Sequence, residues 1–260
     1  MSALRQLATA AALAAATGAS GSAFAVPGDA GSPEARALIA RVVEAYGGRA
    51  ALERVRAYRL EGELFSIRRH DESPTVRVFA RPGRLKVLIG YEGAGEARIV
   101  DGAKGWRSAD EGPIEEAHGP MLDAMVLQAA RADVPWILIE HAAEARWLPA
   151  QDVDSVACEG LEFALPGGLT FRAFVDPRDH RVRMSQGALA HGGMQTHFET
   201  FYDDFRAVDG VWFAFRERNW ASGTQTGVTS VTRVILNPRL RADEFRPPKG
   251  GAAPKARGDS

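Results

Sequence analysis

Between Tyr58 and Leu64 the chain alternates. Tyr58, Leu60, Gly62 and Leu64 share one face, and Arg59, Glu61 and Glu63 take the other, the period-two mark of a half-buried strand. The same rhythm predicts strands at Thr75 to Arg81, at Arg84 to Tyr91 and near Ala97 to Val100, with turns at Asp71-Glu72-Ser73-Pro74, Pro82-Gly83 and Glu92-Gly93-Ala94-Gly95. It returns at Leu161, Phe163 and Leu165, crosses Pro166-Gly167-Gly168, and continues through Phe171, Ala173 and Val175 to a strand near Val182. From Phe198 to Asn237 three strands follow as a meander. The first ends at Tyr202, and Asp203 to Gly210 reads as a wide turn. The second, Val211 to Trp220, sets Val211, Phe213 and Phe215 on one face against Trp212, Arg216 and Arg218; the third gathers Val228, Val234 and Leu236.

Helical spacing interrupts this pattern twice. Ser32-Pro33-Glu34 is a helix start, and Leu38, Ile39, Val42, Val43 and Tyr46 follow as one apolar stripe, closed by Gly47-Gly48. A shorter piece covers Arg49 to Val55. After Pro120, Met121, Leu122, Met125, Val126 and Ala129 share a helical face; Val134-Pro135-Trp136 interrupts it, Ile137 to Ile139 extend it, and Pro149 ends it. The sum is mainly β with α: a single curved antiparallel sheet of about ten strands with helices over it.

The 260 residues carry a formal net charge of -1, which gives no sign of a nucleic-acid partner. Arg5, the short apolar run Leu7 to Ala16 and Ala23-Phe24-Ala25 have the form of a cleaved export signal over residues 1–25. Residues 26–248 then form one domain, and the polar, glycine-rich residues 249–260 a disordered tail. Cys158 is the only cysteine, so an exported chain without an internal disulfide is expected, and the periplasm of a Gram-negative bacterium suits it.

No nucleophile elbow, zinc helix or phosphate loop is present, and neither an enzyme nor a cofactor is expected. His191 and His197 flank a turn without further ligands, so no metal site is assigned. Cys158 reads as a small core residue and Asp203-Asp204 as a turn device. The notable feature is a surplus of large apolar groups in helices that break a sheet. They are either core or a movable plug over the mouth of the curved sheet, whose volume its own side chains need not fill. Each methylene buried there is worth about 0.8 kcal/mol, enough to hold acyl chains without polar recognition. Alternation nominates Leu60, Leu64, Val87, Ile89, Phe213, Phe215 and Val234 as ligand-binding cavity liners, with Met121, Met125 and Trp136 from the helical insert.

The segments AYGGRAALERVRAYRLEGEL (Ala45 to Leu64), DGAKGW (Asp101 to Trp106), FVDPRDHRV (Phe174 to Val182), FYDDFRAVDGVWFAFRERN (Phe201 to Asn219) and VTSVTRVILNPRLRADEF (Val228 to Phe245) follow one another in the order of a known family. The chain resembles the periplasmic outer-membrane lipoprotein-sorting and carrier proteins, the LolA/LolB-like superfamily. The resemblance implies an unclosed antiparallel half-barrel covered by helices, with a hydrophobic cavity for acyl chains. It implies a carrier of lipid or acylated protein cargo, served by a membrane-bound donor or acceptor protein. The alternative is a non-catalytic envelope-stress sensor or scaffold of the same fold that binds a membrane protein.

Overall fold

The computed structural model describes residues 28–91, 94–108 and 112–247. The expected export signal, the tail and the Glu92-Gly93 turn lie outside them. Two helices open the chain, α1 (Pro33–Ala45) and α2 (Arg49–Arg54). Ser32 caps α1 by accepting a hydrogen bond from the Ala35 amide at 3.2 Å, as the Ser-Pro-Glu start requires. Six strands follow: β1 (Ala57–Ser66), β2 (Asp71–Ala80), β3 (Arg84–Tyr91), β4 (Ala94–Asp101), β5 (Lys104–Ser108) and β6 (Glu115–Ala117). Helices α3 (Pro120–Ala132) and α4 (Trp136–Glu140) form the insert. The second run comprises β7 (Arg146–Val153), β8 (Val156–Leu165), β9 (Leu169–Val175), β10 (Val182–His191), β11 (Met194–Val208), β12 (Val211–Ala221) and β13 (Thr224–Leu236).

All the strands join one antiparallel sheet in the order β6-β5-β4-β3-β2-β1-β13-β12-β11-β10-β9-β8-β7. Each hairpin pairs neighbours in sequence, and among the described residues one strand pairing, β1 with β13, joins the two runs. Among the described residues the ends β6 and β7 do not pair, so the sheet stays open, and it has 13 strands where the sequence pattern predicts about ten. Pro149 marked the end of a helix by pattern but lies inside β7, an edge strand with one side free, where a missing amide donor costs little. Pro74 likewise sits in β2 rather than in a turn, just beyond the Thr75–Ile89 pair where β3 stops pairing. The wide turn expected at Asp203 to Gly210 shrinks to Asp209-Gly210. Strand β11 runs on to Val208, with Asp204 absorbing a left-handed φ of 52°.

The main core fills the concave side between the sheet and the helices. The convex side is also partly covered. Val76, Val78, Leu88 and Ile99 pack there under Phe245, with Leu240 beside them, and Lys86 and Glu244 meet at 2.9 Å to hold that C-terminal strap. A third small cluster holds Cys158 among Val153, Val156, Phe174 and Met184, where burial pushes the thiol pKa up to about 11.

Helix α3 lies across the concave side. Two glycines let it approach: a Cβ at Gly105 would come within 2.7 Å of Leu122, and one at Gly187 within 2.8 Å of Leu127. Its C-terminal carbonyls, which no helical amide can reach, find hydroxyl donors on the sheet. Tyr58 donates to the Ala132 carbonyl, and Tyr202 donates to the Arg131 carbonyl at 2.8 Å. Burial raises both phenol pKa values, so both remain donors. Asp133, the residue that ends α3, is buried with its Oδ1 unpartnered among the described residues. Burial, then the nearby Glu140 charge, raises its pKa well above the ordinary range.

An acid whose pKa rises on folding binds its proton more tightly in the native state, so its contribution to stability is lost as pH climbs from the unfolded carboxylate range, about pH 4, through the raised value. Asp133→Asn is expected to stabilise the protein at neutral pH, with the gain fading toward about pH 4. Thermal unfolding of both proteins across that range checks it, and a gain that grows on acidification would contradict the assignment.

Candidate functional site: an arginine-lined cavity beneath the roof helix

The concave face divides into two unequal parts. Toward α1, α2 and α4 it is solid. Tyr58 lies 5.3 Å from Phe79, 5.5 Å from Phe213 and 6.0 Å from Trp136, measured between ring centroids. The Trp136 indole donates to the Leu52 carbonyl at 2.9 Å, which ties α4 to α2. A small space of about 30 Å³ lies there, bordered by Tyr58, Leu60 and Phe213. Toward the β1–β2 and β12–β13 hairpins the sheet is not filled. A cavity of about 770 Å³ lies between α3, along its length from Met121 to Ala132, and strands β1 to β5 and β11 to β13.

The nominated residues fall into groups. Leu64, Val87, Ile89, Met121 and Met125 line the large cavity. Leu60 and Phe213 border the small space. Trp136 is 1% exposed inside the aromatic cluster. Phe215 is buried with the Arg206 guanidinium 4.6 Å over its ring, and Val234 packs half-buried at the edge of the core. Phe215 and Val234 border neither space. Met121, 44% exposed at the start of α3, stands at the mouth.

The cavity was expected to be greasy, and its lining is amphipathic. One wall is apolar, from Leu64, Ile89, Met121, Met125 and Phe198. The lining also includes Arg68, Arg69, Arg77, Arg98, Arg107 and Arg131 against Glu96, Glu199 and Glu217, an excess of arginine. Between the two spaces sits a polar partition. Arg77 and Glu217 form a two-pronged ion pair at 2.8 and 2.7 Å, with side chains only 15% and 7% exposed. Burial works against the Arg77 charge, but Glu217 outweighs it and holds the guanidinium pKa above its ordinary value. Tyr202 pairs with Glu217 across β11 and β12, and its hydroxyl meets Ser185 Oγ at 2.6 Å.

Arg131 reaches this partition from the roof. Its Nε donates to Thr200 at 3.2 Å, its guanidinium lies 5.6 Å from the Phe198 ring, and its Nη1 is buried without a partner among the described residues. Burial lowers its pKa to about 10, which leaves it charged at neutral pH. Three more arginines form a row on the sheet. Arg77 faces Val87, Val87 faces Arg98, and Arg98 faces Arg107 across successive strands. Arg98 is held by Glu96 at 2.7 Å. Arg107 finds only the Met121 sulfur at 3.3 Å, and its Nε is buried and unpartnered among the described residues. Among the described residues no group of three or more His, Cys, Asp or Glu side chains is placed to hold a metal.

The alternation rule hid this arginine row. In β2 the apolar positions Val76 and Val78 point to the convex face, because the Phe245 strap covers it, and the charged Arg77 points inward. A signal was present: Arg77, Arg98 and Arg107 are arginines inside segments of strong strand character, next to buried partners.

Together these features define a roofed, open half-barrel with an amphipathic internal cavity. Three solved structures are similar. An outer-membrane lipoprotein-sorting protein domain from Vibrio parahaemolyticus shares 10% identity, with 73% of this chain and 89% of that one covered and a TM-score of 0.48. A DUF1329 family protein from Desulfovibrio piger shares 13% identity over 82% of this chain and 96% of its own, at a TM-score of 0.50. A LolA superfamily protein from Nitrosomonas europaea shares 12% identity over 81% and 96%, at 0.48. No family model matches the chain, and no curated protein does. At these identities the likeness to the DUF1329 family protein, whose TM-score reaches 0.50, carries the fold alone.

Removing one member of a buried ion pair strands the other charge, at a cost of about 3–5 kcal/mol. Glu217→Gln is therefore expected to destabilise strongly in urea unfolding, and the double variant Arg77→Met with Glu217→Leu to recover much of the loss. A double variant weaker than the single would show that the pair itself, and not the stranded charge, supplies the stability.

Proposed function

We propose that the protein binds acyl chains of lipids or of acylated proteins in the cell envelope and carries them in the cavity beneath α3. The observation that supports this most is the 770 Å³ space with an apolar wall and a mouth at the hairpin end of the sheet. It falls within the range of ligand pockets, about 300–1,000 Å³. The resemblance of its sequence segments to the lipoprotein-sorting carriers adds to it. The role is binding rather than chemistry. Cys158, the one cysteine, is buried away from the cavity with its thiol pKa raised, and among the described residues no nucleophile with an adjacent base borders the space.

The periplasm is the setting that the export signal and the fold favour, and no described helix is long and apolar enough to cross a membrane. In this reading a chain enters past Met121, and it leaves for a membrane-bound acceptor only when that partner offers a better apolar site, since differential affinity alone moves cargo. The cavity liners proposed to touch the chain are Leu64, Val87, Ile89, Met121 and Met125.

Ala124 borders the cavity from α3 and is half-buried. Ala124→Trp is expected to fill the space and to weaken uptake of a fluorescent fatty acid roughly tenfold or more, a loss of about 1.4 kcal/mol or greater, with little change in melting temperature. Unchanged uptake in a folded Ala124→Trp protein would place any bound chain elsewhere.

A further inference from the structure

We infer that the cavity is built for an amphiphile with an anionic headgroup, held by Arg131 with Arg98 beside it, its chain running beneath α3 toward Met121 and the mouth. This rests on the binding role proposed above and adds the chemistry of the head.

The charge balance carries it. Glu217 is engaged by Arg77, Glu96 is engaged by Arg98, and Glu199 accepts from Gln186. Arg131 has no carboxylate partner among the described residues, and it keeps one buried guanidinium nitrogen without an acceptor where it lines the cavity. Buried donors of a charged group are costly to leave unmade. A carboxylate or phosphate satisfies that donor, because a guanidinium fork matches the oxygens of either.

The cavity offers about 770 Å³ for the chain. The apolar wall of Leu64, Ile89 and Met121 leads from the arginines to the hairpin end, where Arg68 and Thr224 are exposed.

Equilibrium dialysis of the full chain against four probes tests this: palmitate, 1-palmitoyl lysophosphatidic acid, neutral 1-palmitoylglycerol and inorganic phosphate. The expected result is binding of palmitate, of the lysophosphatidate or of both at least tenfold tighter than the neutral ester. The preference for one over the other tells carboxylate from phosphate. Arg131→Gln is expected to erase the preference for charge while keeping the neutral ester's affinity. Because that change removes a buried, unpartnered charge, the ligand-free variant is also expected to melt no lower than the parent, so loss of binding cannot be put down to loss of fold. A melting temperature well below the parent's would show that Arg131 serves the fold, and would overturn the assignment. Equal affinity for neutral and charged chains overturns the anionic head and leaves acyl binding intact. Phosphate bound as tightly as the lipids, without dependence on the chain, overturns the acyl reading, and with it the amphiphile. Binding of none of the four overturns both.

Discussion

The Arg77–Glu217 pair is the constraint around which the concave face is arranged. Two charges of opposite sign, nearly dry and held by a pair of short hydrogen bonds, occupy the middle of a surface that would otherwise be packed with aromatic rings. On one side of the pair the rings of Tyr58, Phe79, Trp136 and Phe213 close the space. On the other side the sheet continues toward its hairpins with no matching bulk above it. A buried ion pair contributes little net stability compared with well-packed apolar groups, but it demands that its neighbours satisfy it. Tyr202, Ser185 and Thr200 supply that polar surrounding, and Arg131 shares it. The partition thus stops the core from spreading and leaves the cavity beyond it.

The roof depends on the same residues. Tyr58 and Tyr202 end α3 by supplying donors to its last carbonyls, so the C-terminal end of the helix is anchored to strands on both sides of the β12–β13 hairpin. Gly105 and Gly187 accept Leu122 and Leu127, which brings the helix axis close to both halves of the sheet. The N-terminal half of α3 has fewer such ties. It carries Met121, Ala124 and Met125 over the cavity, and methionine side chains adapt readily to differing apolar partners. Stiff anchoring at one end and adaptable side chains at the other is an arrangement suited to admitting a ligand without unfolding the core.

Much of the fold was legible in the sequence, for physical reasons that can be named. Local hairpins with glycine, proline and aspartate turns impose sequential pairing, and the helix start at Ser32 and the stripe in α3 follow period and capping. What escaped the pattern were three strands: β7 around Pro149, tolerated because one edge is free, and the short β5 and β6, which span only Lys104–Ser108 and Glu115–Ala117. The site was half legible. Alternation on β1 and β3 located Leu64, Val87 and Ile89 on the cavity wall. On β2 alternation misleads, because the strap bearing Leu240 and Phe245 buries the convex face as well, and the apolar positions then no longer mark the inside. Phe213 and Trp136 have the right character for a lining but lie in the solid part, a distinction that depends on where the ion pair falls and not on local sequence.

The central claim is that one half of the concave face is filled and the other half is an amphipathic hollow under α3. A crystal structure with 12-bromododecanoic acid tests it most directly, because the anomalous signal of the bromine marks the chain end. The account predicts a bromine peak beside Leu64, Ile89 and Met121, with the carboxylate toward Arg131. A peak among Tyr58, Trp136 and Phe213, a peak on the convex face, or an unoccupied cavity at saturating ligand would contradict it.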